Sequence, residues 1–512
     1  MAEQLALLPN YLTAHLQLSL LALLVSTAVS IPLGIAATRS HWLEQPTLAL
    51  ASVIQTVPSL ALLAVMVPVL ASLGFQSIGF LPAFLGLTLY GLLPVLRNTV
   101  TGIAGVEPSI KEAARGVGMT RNQQLVLVEL PLAMPVIVAG VRTATVWIVG
   151  IATLSTPVGA TSLGNYIFSG LQTRNYISIL VGCVAAAGLA LLLDSLVRQL
   201  ENGLVHKQRG RTVSALTVLV ILYGYATLTL TAPRTANQER PVVIGSKTFT
   251  EQYILSQTIA QWIERETNRS TELVQSLGSI VAFDALDSNE IDIYVDYTGT
   301  LWANEMEQSN IQMNRADTLD GVRSFLRDRH NISVAASLGF ENAYALAMRT
   351  SDAQRLNLNS ISDLVRYAPS LTIGGDYEFF ARPEWVAIQN QYGLNFVDQR
   401  TMDSTLMYDA IATRAVDVIS AFSSDGRIAA YDLAVLNDDR NAIPPYDALI
   451  LVSEQFADES PDIVTSLTRL EGAIDITRMR ELNLRVDEDG ESPSDVATSL
   501  VNELASSALH ER

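Results

Sequence analysis

The sequence predicts an α-helical membrane bundle followed by an α/β domain of two lobes. Three observations carry this reading: a sharp division of charge, a series of bilayer-length apolar stretches confined to the first half, and an alternation of short strands with helices in the second. Of the 512 residues, 49% are hydrophobic and only 16% charged, too apolar a balance for an ordinary soluble chain. Residues 1–240 carry 13 Lys and Arg against 8 Asp and Glu, a net of +5. Residues 241–512 carry 20 against 43, a net of −23. Two solvents are implied, and so at least two domains: 1–210 a transmembrane domain, 211–240 a sixth transmembrane anchor and linker, and 241–512 an exported soluble domain. The acidic half disfavours nucleic acid as a partner, since like charge repels.

Stretches long enough to span a bilayer fall at roughly 14–37, 47–71, 78–97, 133–155, 177–197 and 213–232. Pro32, Pro58, Pro68, Pro94 and Pro135 predict kinked helices whose neighbours satisfy the freed backbone groups. Gly34, Ala36, Ala37 and Gly86 allow close helix contact. The N-terminus lacks the basic region of a cleavable signal. Arg97, Lys111, Arg115 and Arg121 follow the third span, and Arg198, His206, Lys207, Arg209 and Arg211 lie between the fifth and sixth. Both loops are then cytoplasmic, the N-terminus is outside, and the sixth span delivers the acidic half to the far side. Cleavage after Ala232 stays open at this point. Cys183, the single cysteine, excludes a disulfide framework and is expected to be a buried thiol.

The long basic loop reads Glu112-Ala113-Ala114-Arg115-Gly116-Val117-Gly118-Met119, then Glu129-Leu130-Pro131 and an apolar helix with Pro135 and Gly140. Small residues Ala113 and Ala114 on a short amphipathic helix can press into a partner's groove, and Gly116 and Gly118 permit a turn after it. Pro131 punctuates the return to the membrane. This pattern resembles the EAA loop of binding-protein-dependent ABC import permeases with a MetI-like core. The resemblance implies that Glu112, Ala113, Ala114, Gly116 and Gly118 couple the chain to an ATPase. A common Glu-Ala-Ala triplet alone would mean nothing; the glycine offsets, the cytoplasmic side and the Leu-Pro return make it specific. No Gly-rich phosphate loop occurs in the sequence, so the resemblance places ATP hydrolysis on a separate subunit.

From Pro241 the pattern changes. Strands are predicted at 242–245, 291–295, 332–336, 343–348, 371–374, 416–421 and 447–452, with an amphipathic helix over 251–266. The 272 residues are many for one core, which predicts two lobes and a cleft. Gly245 to Gln252 (Gly-Ser-Lys-Thr-Phe-Thr-Glu-Gln), Tyr294 to Thr300 (Tyr-Val-Asp-Tyr-Thr-Gly-Thr), Asn342 to Leu346, Phe422 to Gly426 and Pro444-Pro445-Tyr446 resemble five blocks, in order, of binding proteins for glycine betaine, choline and related osmoprotectants. The resemblance implies a type II periplasmic-binding-protein fold hinged near 345–348 and 445–450.

A trimethylammonium head has no N–H to donate, so its recognition rests on aromatic faces. By the resemblance, Tyr297, Tyr344 and Tyr446 are cage positions and Phe422 a fourth wall, where relatives often carry Tyr. Lys247, the only lysine in 241–512, and Arg382 match positions that contact a ligand carboxylate. Thr300 and Asn342 are further polar contacts, with Gln252 and Asp425 behind them. Any one of these tyrosines is as readily explained by packing, Lys247 by an ion pair, and Arg382 by solvation. The family reading also implies a homodimer in membrane lipid, in a bacterial cytoplasmic (inner) membrane, importing a quaternary amine with no cofactor and no metal. Two alternatives stand beside it: an importer of amino acids or other zwitterions, and a ligand-gated sensor. An enzyme is disfavoured, as no nucleophile triad or metal cluster is recognisable.

Overall fold

A computed structural model describes residues 2–231, 240–308 and 315–510. The chain divides into two compact units, one built mainly from the helices of 2–231 and the other mainly from 240–510. Most of the expected linker, and cleavage after Ala232, lie outside the described residues.

In the first unit, five helices among the described residues are long and apolar enough to cross a membrane: Leu5–Arg39, Phe80–Ala104, Arg121–Val158, Tyr176–Gly203 and Arg209–Leu230. The stretch expected as a single span over 47–71 differs. It forms two helices, Trp42–Thr56 and Ser59–Ser72, bent by 101° at their break. The cause is Pro58, which lacks an N–H and drives the preceding residue out of the helical region: Val57 is extended at φ −69°, ψ 130°. With that pair counted as one, the total rises to six. Close helix contact occurs where small residues predict it. A Cβ on Gly34 would stand 2.7 Å from Thr99, and one on Gly86 would stand 2.6 Å from Leu63. Cys183 is exposed on Tyr176–Val205, not buried as expected, because that helix turns much of its apolar surface outward, as a lipid-facing helix does.

Two five-stranded sheets build the second unit. The strands are β1 Val242–Lys247, β2 Thr271–Leu277, β3 Ile293–Tyr297, β4 Ile332–Glu341, β5 Tyr344–Arg349, β6 Thr372–Gly375, β7 Asp398–Thr401, β8 Val418–Phe422, β9 Leu433–Val435 and β10 Asp447–Ser453. One sheet has the order β2-β1-β3-β10-β4 and the other β7-β6-β8-β5-β9. Within the first, β1 runs parallel to β3, while β10 is antiparallel to both β3 and β4. The inner strands β3 and β10 are buried throughout, as their apolar runs require of strands covered on both faces.

This is the two-lobed type II binding-protein fold. The chain leaves the first sheet at Asn342–Ala343, between β4 and β5, and returns between Leu436 and Tyr446. The outward crossover falls just before the hinge expected near 345–348, which are ladder residues of β5, whereas the return crossover overlaps the hinge expected near 445–450 at Pro445 and Tyr446, with β10 beginning at Asp447. Residues already paired in a sheet cannot swivel without breaking that sheet.

Candidate functional site

Three of the predicted aromatic residues come together through the topology. Tyr344 opens β5 and stands directly opposite Phe422, the last residue of the antiparallel β8. Their ring centroids are 5.0 Å apart. Tyr446 closes the return crossover and presents its ring edge to Tyr344 at 6.3 Å and 88°. Tyr446 approaches so near to the turn after β3 that a Cβ on Gly299 would lie 2.4–2.6 Å from its ring. Tyr344 and Tyr446 are buried, which raises both phenol pKa values well above the usual 10.

Arg382 joins this cluster. Its guanidinium carbon lies 5.3 Å from the Tyr344 centroid, a cation over an aromatic face. Nη2 donates to the Tyr446 hydroxyl at 3.3 Å. The same guanidinium forms a fork with Glu384 at 3.1 and 3.3 Å, and reaches Glu378 at 3.3 Å. Glu384 is fully buried and also accepts from the Tyr446 hydroxyl. Fork geometry of this kind fixes the plane of the arginine.

Tyr297 belongs to a second polar cluster, centred on Glu251 near the start of the helix Thr250–Thr267. Its hydroxyl donates to Glu251 Oε1 at 2.5 Å, and Asn342 Nδ2 donates to the same oxygen at 3.2 Å. Asn483, from the helix Ile476–Asp487, donates to Oε2 at 3.1 Å, with the Ser424 hydroxyl a further donor. Burial raises the Glu251 pKa, and these donors pull it back. Tyr297 also stacks on Phe249, at 6.2 Å.

Lys247 is buried at the end of β1, with Nζ 2.5 Å from Asp296 Oδ1. Asp296 also accepts from the Tyr294 hydroxyl at 2.6 Å and from the Tyr297 amide at 2.8 Å. Thr300 is half-buried in the turn Thr298–Thr300. Its neighbour Thr298 does more to join segments: its hydroxyl donates to the Pro445 carbonyl at 2.8 Å and accepts from the Asp447 amide at 2.9 Å. Gln252 supports Tyr297 from behind, donating to its hydroxyl at 3.2 Å and to the Val295 carbonyl at 3.0 Å. Asp425 is committed to Arg427 at 2.6 Å.

Sequence reasoning missed Glu251, Thr298, Glu384 and Asn483 as organisers. Glu251 and Thr298 stand inside the motif segments and were within reach, and Glu384 lies only two residues from Arg382; the fold alone brings Glu384 to Tyr446 and Asn483 to Glu251. Among the described residues, no group of three or more His, Cys, Asp or Glu is arranged to hold a metal ion.

In the first unit, the segment Glu112–Gly118 forms the end of the helix Pro108–Gly116 and its turn. Ala114 is buried while Glu112, Ala113 and Arg115 are exposed, so only one of the two alanines is on the open surface of the helix. Gly118 has φ +83°, the left-handed conformation that favours glycine, and its amide donates to the Arg115 carbonyl at 2.9 Å. Gly116 ends the helix with ordinary φ and open space around it. Beyond the turn, Thr120 and Gln123 form a capping box, and buried Glu129 accepts from Arg39 at 2.5 Å and Gln124 at 2.9 Å.

Comparison with known proteins divides the chain as its charge does. Residues 240–503 match the family model described as the substrate binding domain of the ABC-type glycine betaine transport system. Residues 30–206 match the binding-protein-dependent transport system inner membrane component. The ergothioneine transport permease/ergothioneine binding protein EgtU of Helicobacter pylori is 30% identical over 463 residues, covering 88% of this chain and 82% of that protein. The glycine betaine/carnitine/choline transport system permease protein OpuCB of Bacillus subtilis is 40% identical over 38% of this chain and 86% of its own length. The carnitine transport binding protein OpuCC of Listeria monocytogenes is 32% identical over 50% of this chain and 83% of its own length.

Proposed function

The chain belongs to the ABC-importer family in which an inner-membrane permease component is joined to a substrate-binding domain of the glycine betaine type, and we propose that its solute is a quaternary ammonium compound, glycine betaine or a relative. It is an importer subunit for osmoprotectant-like solutes, and such importers work with an ATPase partner.

One observation carries the finer reading. Tyr344, Phe422 and Tyr446 are gathered from two strands and the return crossover around a face that already accepts a cation, the Arg382 guanidinium at 5.3 Å. A permanently charged trimethylammonium is held by the same attraction, which strengthens when water is excluded. Ergothioneine, glycine betaine, carnitine and choline, the solutes named for the relatives, share that head group.

In this reading the binding domain lies on the extracytoplasmic side of a multi-pass membrane protein, and closes over the solute. Two copies in the bilayer line the pathway, a separate ATPase subunit docks on Glu112 to Gly118, and Gly118 shapes the turn that receives its movement. A binding domain tethered to its own permease keeps captured solute at high effective concentration near the mouth.

The test is titration of the full chain with glycine betaine, choline, carnitine and glutamine, followed by intrinsic fluorescence. Binding of the quaternary amines is expected; binding of glutamine alone would end the reading.

A further inference from the structure

Resting on the quaternary-ammonium reading above, we propose that the preferred solute also carries an O–H or N–H donor, seated beside Asn342, and that this donor sets preference within the class.

The polar groups around the aromatic residues are unevenly matched. Both cations are neutralised internally, Lys247 by Asp296 at 2.5 Å and Arg382 by Glu384 at 3.1 Å. Acceptors, by contrast, are in surplus. Asn342 Oδ1 and Asn483 Oδ1 are buried oxygens without a hydrogen-bond partner. The orientation of each amide is fixed by its nitrogen. Asn342 Nδ2 donates to Glu251 at 3.2 Å. Asn483 Nδ2 donates to Glu251 at 3.1 Å and to the Ser424 carbonyl at 3.0 Å. Flipping either side chain would set its oxygen against a carboxylate, so the oxygens must face elsewhere. Asp376, by contrast, is committed: Oδ1 accepts from the amides of Glu378 and Phe379, at 2.8 and 2.9 Å, and the carboxylate also accepts from Tyr344.

Asn342 is the member joined to the aromatic residues through the backbone: it lies two residues before Tyr344, and its amide donates to the Tyr446 carbonyl at 3.0 Å. A buried acceptor left unmade is costly, and a ligand group that completes it gains that cost back as selectivity. A trimethylammonium has nothing to donate, and neither has a carboxylate. A hydroxyl or ring N–H two or three bonds from the cation does. Choline satisfies this pattern, whereas glycine betaine has no donor at all.

The experiment compares choline with its methyl ether, (2-methoxyethyl)trimethylammonium, and with glycine betaine, each titrated into the full chain. The ether keeps the cation and removes only the donor. Choline is expected to bind at least about tenfold more tightly than either. In Asn342→Leu the choline-to-ether ratio should fall towards one, with residual ether binding reporting an intact cluster. Ether and choline binding alike to the unaltered chain would overturn the donor while leaving the quaternary-ammonium reading in place. Failure of all three cations to bind would sink both.

Discussion

The backbone amide of Asn342 donates to the carbonyl of Tyr446 at 3.0 Å, so the two segments that join the lobes are tied together where each contributes a residue to the candidate site. Thr298 strengthens the tie from the first lobe by bonding Pro445 and Asp447 on either side of Tyr446. Aromatic cluster and crossover are one structure, and a change in lobe angle must pass through it.

Gly299→Ala tests that arrangement. The added methyl would meet the Tyr446 ring at 2.4–2.6 Å, too close for either to stay in place. Overpacking of this kind costs about 1–3 kcal/mol. A lower melting temperature is expected together with loss of quaternary-amine binding, while Thr300→Ala should leave stability nearly unchanged. Normal binding by Gly299→Ala would mean that the position of Tyr446 is immaterial.

Lys247→Ala should behave as a stability variant. It strands Asp296 in the interior, and breaking a buried pair costs about 3–5 kcal/mol. Calorimetry should record a steep fall in melting temperature. At a temperature where the variant remains folded, choline and glycine betaine should lose affinity by similar factors. Selective loss for the carboxylated solute would instead assign the lysine to the ligand.

A pH dependence follows from Asp487. Burial pushes its carboxyl up to about 7, with Arg427 opposing the rise and Asp425 adding to it. Below about pH 4 the group is protonated in both folded and unfolded chains and contributes no slope. Between about pH 4 and 7 the unfolded chain releases its proton first, so stability falls as pH rises, by at most about 1.4 kcal/mol per unit. Asp487→Asn mimics the protonated form. Its melting temperature, relative to the unaltered chain, should climb across that window and level off above it. An offset that is constant with pH would contradict the assignment.

Much of the fold is legible in the sequence because burial leaves a pattern. β10 is a continuous apolar run from Ala448 to Val452, β3 is apolar but for Asp296, and the spans announce themselves by length. The strands that escape are edges: β7, Asp398–Thr401, is exposed throughout and contains no apolar residue, so no periodicity marks it. The bend at Pro58 was open to view as a proline, but its 101° angle depends on how two helices pack. Of the site, the aromatic residues stand out because their motifs are local. Two contacts are invisible for the opposite reason: Glu384 reaches Tyr446 across 62 positions and Asn483 reaches Glu251 across 232, and nothing in their neighbourhoods signals either.

The central claim is that a permanent cation is recognised by the cluster of Tyr344, Phe422 and Tyr446. It is tested most directly by calorimetric titration of the full chain with choline and with 3,3-dimethylbutanol, its uncharged isostere of nearly the same shape. Choline should bind at least about tenfold more tightly, the range expected for a desolvated cation over aromatic faces. Equal affinity for the two would show that shape, not charge, fills the site.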